Sequence, residues 1–323
     1  MNRTALLFPG QGAQFVGMGR DLYESSAAAR RLFDEADRVL GTQLTRLCFE
    51  GPEEELRRTH NTQPAIFVHS LAALRAMDLE PRGDLWRTAG HSLGEYTAYV
   101  AAGAMSFEDG LRLVRRRGEL MLQAGRERPG TMAAVLGLSG EQVASAIAQV
   151  PGVVRVANHN SPGQAVLSGE VEAVRAAAEI LKSAGAKKVV MLEVSGAFHS
   201  PLMEPAAAGL AEALRDVEIR SPGCVVLANA TAQPVIEPAE IRDSLARQLL
   251  APVCWEQIVR SLIAWGAERF LEVGPGKVLS GLVRSIDKGL AGEAVGTAEQ
   301  VTAWRAAAGT PAGAEARSEG RPS

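Results

Sequence analysis

A serine between glycines gives the first indication of chemistry in this chain. The chain carries the G-x-S-x-G form at Gly90-His91-Ser92-Leu93-Gly94. Small flanking residues permit a sharp turn from a strand into a helix, which exposes the serine hydroxyl at the helix N-terminus. Ser92 is therefore a candidate nucleophile. The pentapeptide alone also fits an ordinary N-capping serine, so a base is needed to support the first interpretation.

Histidine is the usual base for a serine nucleophile. The chain contains five histidines, namely His60, His69, His91, His159 and His199. His199 is the best placed, because it lies in a loop of small residues that precedes a helix, Ser195-Gly196-Ala197-Phe198-His199-Ser200-Pro201. His91 adjoins the nucleophile, but we expect its side chain to point away across the turn and to brace it.

A run of three arginines lies in an amphipathic helix predicted over Phe107 to Gln123. At roughly 100° per residue, Arg116 points away from the apolar face. Arg115 and Arg117 each lie about 80° from the centre of that face, where a side chain could reach a cleft. Periodicity leaves the choice between these two open. A solvated charged surface is the alternative for the whole run.

Motifs for metal or nucleotide chemistry are incomplete. The sequence has no H-E-x-x-H cluster, and its glycine-rich segments at Gly10-x-Gly12 and Gly274-Pro275-Gly276-Lys277 match no complete phosphate loop or dinucleotide fingerprint. Its three cysteines are widely separated and form no C-x-x-C pair, so neither a disulfide framework nor a zinc site is indicated. We therefore expect no metal and no cofactor.

Composition indicates a soluble globular enzyme, since 46% of the residues are hydrophobic and 22% are charged. The 37 acidic and 34 basic residues give a net charge of −3, which creates no field to hold nucleic acid or an anionic membrane. The apolar run before Pro9 is too short for a signal peptide, and no run approaches the ~18 residues of a membrane span. We expect a cytoplasmic protein.

Two strands must position the candidate nucleophile and its surroundings. Thr4 to Phe8 predicts a short strand that enters a turn-rich loop with free backbone N–H groups, Pro9-Gly10-Gln11-Gly12-Ala13-Gln14. Trp86 to Ala89 predicts a weaker strand that leads into Gly90, followed by a helix to about Ala102. Helical patterning also covers Ala27 to Leu40 and Ala65 to Met77.

The pattern changes between about residues 126 and 196. There the strands predicted over 132–138, 153–157, 164–168 and 188–194 alternate with helices over 140–149 and 171–184. This βαββαβ order is ferredoxin-like. We interpret it as a small domain, 126–196, inserted into a large catalytic α/β domain made of 1–125 and 197–305. Residues 306–323 lack apolar periodicity and are predicted to be a disordered tail.

Taken together, these motifs resemble the bacterial malonyl-CoA:acyl carrier protein transacylases and the acyltransferase domains of polyketide and fatty acid synthases. The resemblance covers roughly residues 4 to 300. It rests on Phe8-Pro9-Gly10-Gln11-Gly12, Thr62-Gln63-Pro64, Gly90-His91-Ser92-Leu93-Gly94-Glu95-Tyr96, Arg117-Gly118, Asn158-His159-Asn160-Ser161-Pro162-Gly163-Gln164, Gly196-Ala197-Phe198-His199-Ser200, Gln248-Leu249 with Pro252-Val253, and Glu272-Val273-Gly274-Pro275-Gly276.

The resemblance implies a role for each candidate residue. Ser92 is acylated, His199 is its base, and a carbonyl of Gln248 orients the imidazole in place of a carboxylate. The backbone N–H groups of Gln11 and Leu93 form the oxyanion hole.

The resemblance also assigns the acyl pocket. Arg117 binds the malonyl carboxylate, which resolves the choice that periodicity left open. Related malonyl-selective sites carry H-A-F-H where methylmalonyl sites carry Y-A-S-H. Phe198 matches the malonyl pattern, although Gly196 departs from its first position. Asn158 matches a family position near the cleft, with a turn-forming asparagine as the alternative.

These implications predict an α/β fold, with a large α/β-hydrolase-like domain and the inserted ferredoxin-like domain. They predict transfer of malonyl from malonyl-CoA to the phosphopantetheine thiol of an acyl carrier protein, for fatty acid biosynthesis, by a monomer. The alternatives are an acyltransferase serving a polyketide synthase, a serine hydrolase such as a thioesterase or lipase, and a silent docking domain. An α/β-hydrolase would carry an acidic residue between the serine and the histidine in chain order, and it would not need an arginine to bind a carboxylate.

Overall fold

The structure of the chain is a computed structural model that describes residues 3–308. Its strands are β1 (Thr4–Phe8), β2 (Trp86–Gly90), β3 (Thr131–Leu136), β4 (Val154–Ser161), β5 (Gln164–Gly169), β6 (Lys188–Met191), β7 (Val225–Leu227), β8 (Pro234–Val235), β9 (Arg269–Val273) and β10 (Gly292–Val295). Its helices are α1 (Arg20–Ser25), α2 (Ala27–Leu40), α3 (Leu44–Glu50), α4 (Glu53–Arg57), α5 (Thr59–Ala76), α6 (Gly94–Ala101), α7 (Phe107–Glu127), α8 (Gly140–Ile147), α9 (Val171–Ser183), α10 (Glu204–Ala213), α11 (Pro238–Arg247), α12 (Trp255–Ala264), α13 (Val278–Ile286) and α14 (Ala298–Ala308).

The larger sheet has six strands in the order β10-β9-β1-β2-β7-β8. Neighbouring strands are parallel, except that the edge strand β8 pairs antiparallel with β7. Strand β1 is buried throughout. Leu6 and Phe8 pack into the core that includes Phe67 of α5, whereas Ala5 and Leu7 pack into the core that includes Val259 of α12. Helices therefore cover both faces of this sheet, as is usual for parallel strands.

Three polar residues follow the carboxyl ends of adjacent strands of this sheet. Gln11 follows β1, Ser92 follows β2 and Asn229 follows β7. Parallel strands present their carboxyl ends at the same edge, where loops gather and ligands commonly bind. The sheet thus brings these residues to one edge.

The smaller sheet has four strands in the order β4-β5-β3-β6, and all pairs are antiparallel. Ala133 and Val135 of β3 pack with helices α8 and α9 on one face. Met132 of β3 and Val166 of β5 join the core of the larger unit on the other face. The architecture is therefore mixed α/β, with a separate antiparallel sheet that packs against the body containing the parallel one.

Helix boundaries differ from the sequence prediction where polar residues begin an element. α2 spans the predicted residues, but α5 begins at Thr59 rather than Ala65. The polar residues 59–61 carry no apolar periodicity, and Pro64 lies inside the helix. β4 runs to Ser161 through two irregular positions, beyond the predicted end at Ala157.

The predicted disordered tail begins too early. α14 continues through residues 306–308, because the buried side chains of Val301 and Trp304 hold the helix against the core and the following alanines favour helix. The rest of the predicted tail, 309–323, lies outside the described residues. No helix within residues 3–308 combines the length and apolarity needed to span a membrane.

Helices α5 and α7 approach closely at Gly118. A Cβ atom at this position would lie 2.5 Å from Cα of His60 and 2.8 Å from the carbonyl oxygen of Thr59. Real Cβ atoms do not approach backbone atoms this closely. Neither the first turn of α5 nor the middle of α7 can move away without repacking. Gly118 therefore sets the distance between the two helices, and with it the position of the neighbouring Arg117.

We predict that Gly118→Ala lowers the free energy of unfolding by about 1 to 3 kcal/mol, because the added methyl overlaps the α5 backbone. Gly281→Ala in α13 is the matched control. Its new Cβ would meet nothing within 4 Å, so the helix should gain up to about 1 kcal/mol. Urea denaturation of both variants measures the difference. Equal stability of Gly118→Ala and the wild type would show that the two helices can separate freely.

Candidate active site

Ser92 lies in a tight turn between β2 and α6. Its φ of 51° is in the left-handed region, which non-glycine residues rarely adopt. A Cβ on Gly90 would collide with the backbone of Gly94, so only glycine allows the chain to reverse here. The backbone N–H of Ser92 donates to Oδ1 of Asn229 at 2.7 Å. The turn therefore holds the serine hydroxyl outward, as the G-x-S-x-G form predicts.

His199 lies directly beside the serine. Its Nε2 is 2.7 Å from Ser92 Oγ. Its Nδ1 is 3.1 Å from the backbone carbonyl oxygens of both Gln248 and Ala251. Carbonyl oxygens only accept, so Nδ1 carries the proton and Nε2 is left to accept the serine proton. The pair has the geometry of a nucleophile and its general base, with neutral carbonyls as the orienting groups.

The charge state of His199 follows from its surroundings. Burial, together with the smaller effect of the positive charge of Arg117, lowers the pKa of His199 to about 3. The imidazole is therefore neutral throughout the physiological pH range. Its Nε2 lone pair stays free to take a proton from Ser92.

Arg117 is a buried cation beside the serine, with only 1% of its surface exposed. Nη2 donates to Ser92 Oγ at 3.0 Å and to Oε1 of Gln248 at 2.9 Å, and Nη1 donates to Oε1 of Gln63 at 2.8 Å. The guanidinium also lies 5.4 Å from the ring centre of Tyr96. Nε is buried and has no acceptor within residues 3–308. A cation with unused donor capacity thus points at the nucleophile.

The other two arginines of α7 have different surroundings. Arg115 pairs with Glu119 and donates to the carbonyl oxygen of His60 and to Asn61, so it joins α7 to the start of α5. Arg116 faces outward, with 52% of its side chain exposed. Of the two candidates that periodicity left open, Arg117 is the one that reaches Ser92.

Gln11 and Leu93 border the same cavity as Ser92. Among the described residues, no group accepts a hydrogen bond from the backbone N–H of either one. Free amides beside a nucleophile suit an anionic oxygen that forms during attack. Their arrangement is consistent with the predicted oxyanion hole.

The cavity around Ser92 is walled by the segments that follow β1 and β2, by the smaller sheet and by α7. Its lining residues are Gln11, His91, Ser92, Leu93, Arg117, Met121, Met132, Asn158, Val166, Leu192, Val194, Phe198 and His199. Phe198 and Asn158 therefore both reach the cavity. The alternative that Asn158 forms a turn is wrong, because Asn158 lies within β4 and pairs with Val166. Its side-chain Oδ1 is buried and has no partner in the described chain.

His91 borders the cavity beside Ser92, but the contacts of its ring are with other residues. Its Nε2 is 2.9 Å from Oδ1 of Asn160, and its ring lies 5.5 Å from that of Trp255. Neither contact involves Ser92. Within residues 3–308 no cluster of three His, Cys, Asp or Glu side chains is arranged to hold a metal ion.

Sequence reasoning gave no role to three polar residues of the site. Gln63 accepts a hydrogen bond from Arg117, and Asn229 accepts one from the backbone N–H of Ser92. Glu95 is the third of these residues, and it is completely buried. Glu95 could have been noticed, because it is the only charge in an otherwise apolar helix, Gly94-Glu95-Tyr96-Thr97-Ala98-Tyr99-Val100-Ala101. A charge in that setting usually has a buried partner.

Comparison with known proteins identifies a family. Residues 5–308 match the model of the acyl transferase domain. The malonyl CoA-acyl carrier protein transacylase of Bacillus subtilis (strain 168) is 47% identical over 307 residues, which cover 93% of this chain and 96% of that protein.

Solved structures agree with this assignment. The acyl-carrier-protein S-malonyltransferase of Bartonella henselae superposes with a TM-score of 0.92 at 40% identity, covering 96% of this chain and 100% of that one. A malonyl-transacylase in complex with a type II PKS acyl-carrier protein gives a TM-score of 0.90 at 40% identity, covering 94% and 98%.

The low pKa of His199 predicts how the reactivity of Ser92 depends on pH. Because Nε2 stays unprotonated, labelling of Ser92 by an uncharged fluorophosphonate should slow less than about twofold between about pH 8 and about pH 5. Labelling rates measured by intact mass test this, with Ser92→Ala as the blank. A loss of rate with a midpoint near the ordinary histidine pKa would contradict it.

Proposed function

The chain belongs to the acyl transferase domain family, and from that premise we propose that it transfers a malonyl group from malonyl-CoA to the phosphopantetheine thiol of an acyl carrier protein. The product of this transfer serves fatty acid biosynthesis. One observation carries the choice of acyl group: the buried guanidinium of Arg117 lies 3.0 Å from Ser92 Oγ. An acyl group on Ser92 would have its far end beside a buried cation, and malonyl ends in a carboxylate.

In the first half-reaction His199 Nε2 takes the proton of Ser92 as Oγ attacks the thioester carbonyl. The backbone N–H groups of Gln11 and Leu93 donate to the tetrahedral oxyanion, and each such donor is worth roughly 3 to 4 kcal/mol. His199 then returns the proton to the departing sulfur, and coenzyme A leaves as its thiol. A malonyl ester remains on Ser92.

In the second half-reaction the carrier protein's thiol attacks this ester. His199 takes the thiol proton and returns it to Ser92 Oγ as the ester breaks. Meanwhile Arg117 holds the malonyl carboxylate, for which its two-nitrogen fork is suited. The buried Nε of Arg117, which has no acceptor in residues 3–308, supports this role. The chemistry requires no dissociable cofactor.

The serine hydrolase alternative is disfavoured by the orientation of His199. In such enzymes an acid bonds Nδ1 of the histidine, whereas here two backbone carbonyls do. Glu95 comes between Ser92 and His199 in the chain, but it bonds Gln248 and Asn229 instead. The polyketide alternative differs only in the carrier that receives the malonyl group.

We also propose a division of the chain into a large α/β-hydrolase-like catalytic domain and an inserted ferredoxin-like domain of about residues 126–196. The strand–turn–helix at Ser92 supports the first assignment. The βαββαβ order with its antiparallel sheet supports the second. All proposed catalytic groups come from one chain, so the proposed monomer would suffice for the chemistry, and the composition supports a cytoplasmic location.

The acyl-enzyme provides a direct test. Mixing the protein with malonyl-CoA should add one malonyl group to the intact mass, and Ser92→Ala should add none. His199→Ala should fold but acylate about 10²- to 10⁴-fold more slowly, because it lacks the base. Subsequent addition of a carrier protein with a free phosphopantetheine thiol should remove the group. Steady release of free malonate without an adduct would instead indicate a hydrolase.

Arg117 provides the test of acyl selectivity. Arg117→Ala should slow malonyl transfer by about 10²-fold or more, since a buried charge pair is worth about 2 to 5 kcal/mol when one partner is removed. Acetyl transfer should hold steady or rise. In the wild type an acetyl group leaves the buried cation without a partner, and the variant does not have this penalty. The matched control is Arg116→Ala on the outward face of α7, which should change neither rate. Competition between equimolar malonyl-CoA and acetyl-CoA measures the ratio. A preserved malonyl preference in Arg117→Ala would mean that another group binds the carboxylate.

A further inference from the structure

Glu95 is a completely buried carboxylate for which the proposed reaction has no stated use. It lies in the first turn of α6 and has no exposed surface. Its Oε2 accepts from Nε2 of Gln248 at 2.6 Å and from the backbone N–H of Asn229 at 3.2 Å. Its Oε1 is buried without a donor among the described residues. Burying a carboxylate with so few donors is costly, so its retention needs an explanation.

One of the two contacts of Glu95 leads to the cation of the site. The Gln248 amide that donates to Glu95 also donates to the carbonyl oxygen of Ser92 at 2.9 Å, and its Oε1 accepts from Arg117 Nη2 at 2.9 Å. An amide has a single favourable orientation when its nitrogen faces a carboxylate. Glu95 therefore fixes which end of the Gln248 side chain faces Arg117.

The other contact leads to the nucleophile. Asn229 accepts from the backbone N–H of Ser92 at 2.7 Å and donates from Nδ2 to the carbonyl oxygen of Gly90 at 2.6 Å. These two bonds hold the strained turn on either side of His91. Glu95 thus lies where the support of the nucleophile and the support of the arginine meet.

Glu95 also supplies negative charge to Arg117. Within residues 3–308 Arg117 forms no ion pair, and the acidic side chain whose charge acts on it is Glu95. The remaining titratable groups that interact with Glu95 are Tyr96 and Tyr99, and burial raises the pKa of both phenols, so they stay neutral. The charges that face each other at the site are therefore one anion and one cation.

We propose that Glu95 is a positioning residue that sets acyl selectivity, holding Gln248 and Asn229 in place and partly neutralising Arg117 before an acyl group arrives. This inference rests on the proposed malonyl transfer. When a malonyl carboxylate enters, two anions share one buried cation, and the negative charge of Glu95 repels the malonyl carboxylate. Removing the charge but not the shape of Glu95 should therefore favour malonyl over acetyl more strongly.

The pH dependence follows from the same arrangement. Burial outweighs the lowering effects of the bonds to Gln248 and Asn229 and of the charge of Arg117, and it raises the pKa of Glu95 to about 7. Protonated Glu95 no longer opposes an incoming carboxylate. The malonyl-to-acetyl ratio of the wild type should accordingly rise as the pH falls through about 7. Since His199 serves both donors equally, its own ionisation cancels in this ratio.

The test compares single-turnover acylation of Ser92 by malonyl-CoA and by acetyl-CoA in wild type, Glu95→Gln and Glu95→Ala. Glu95→Gln should raise the malonyl-to-acetyl ratio about tenfold, the size expected for one unit charge acting across a partly polar interior. Its ratio should no longer change with pH. Glu95→Ala should slow acylation by both donors at least about tenfold, because Gln248 and Asn229 lose their anchor, and Glu95→Gln should recover most of that rate.

Glu272→Gln is the matched control. Glu272 is equally buried, but it accepts from the backbone N–H groups of Leu279 and Ser280 at the start of α13, away from Arg117. Glu272→Gln should lower the melting temperature without changing the malonyl-to-acetyl ratio. A ratio in Glu95→Gln within twofold of wild type, or an equal shift in Glu272→Gln, would overturn the proposal.

The wild type alone also decides the matter if the variants do not fold. A malonyl-to-acetyl ratio that is flat between about pH 5.5 and about pH 8.5 would overturn the role of Glu95. Failure of the proposed function looks different, because wild-type Ser92 would then take up no malonyl group at any pH.

Discussion

A cation buried beside the nucleophile is the constraint on which the rest of this site depends. A guanidinium removed from water needs acceptors, and here Gln63, Gln248 and Ser92 supply them while Tyr96 offers its ring face. These partners come from α5, the turn after β2, α6 and the turn after α11, so all of these segments must converge on Arg117 of α7. The absence of a side chain at Gly118 lets α5 and α7 come together that closely. The proposed selectivity for an anionic acyl group therefore depends on the packing of these buried segments and not on a surface loop.

The same cation explains why His199 is oriented by carbonyls. A carboxylate at Nδ1 would raise the pKa of His199 and would also compete for the arginine a few ångströms away. Two backbone carbonyls hold the ring in the required tautomer without adding charge. The imidazole then stays neutral, and the arginine keeps its capacity for the substrate. The negative charge that the site does contain, Glu95, is kept one amide away from Arg117.

The sequence alone singled out Ser92 and His199, whose side chains the structure places 2.7 Å apart, because a nucleophile turn and a small-residue loop are encoded locally. It could not choose between Arg115 and Arg117, since periodicity gives the direction of a side chain from the helix axis but not the neighbour it meets; the family resemblance made that choice. The start of α5 at Thr59 and the extension of β4 past Ala157 were missed for a related reason. Both segments are polar, and tertiary contacts stabilise them. Gln63, Asn229 and Glu95 act on the site only through other residues, so no local pattern marks their roles.

The smaller sheet forms one wall of the cavity around Ser92. Met132 and Val166 face the cavity from this sheet, and Leu192 and Val194 follow its last strand. The hydrogen-bonding groups that hold Arg117 and orient His199 all come from the larger unit, so this wall adds bulk and no charge. An ester on Ser92 is attacked by whichever acceptor reaches it, and water is the most abundant one. Apart from Asn158 of β4, this wall is apolar, so it offers water few hydrogen-bond partners while leaving room for a thiol on a slender arm. The same serine and histidine would serve hydrolysis equally well. In the proposed mechanism, the difference between a transferase and a hydrolase therefore lies in this wall and in the hold of Arg117 on the acyl group.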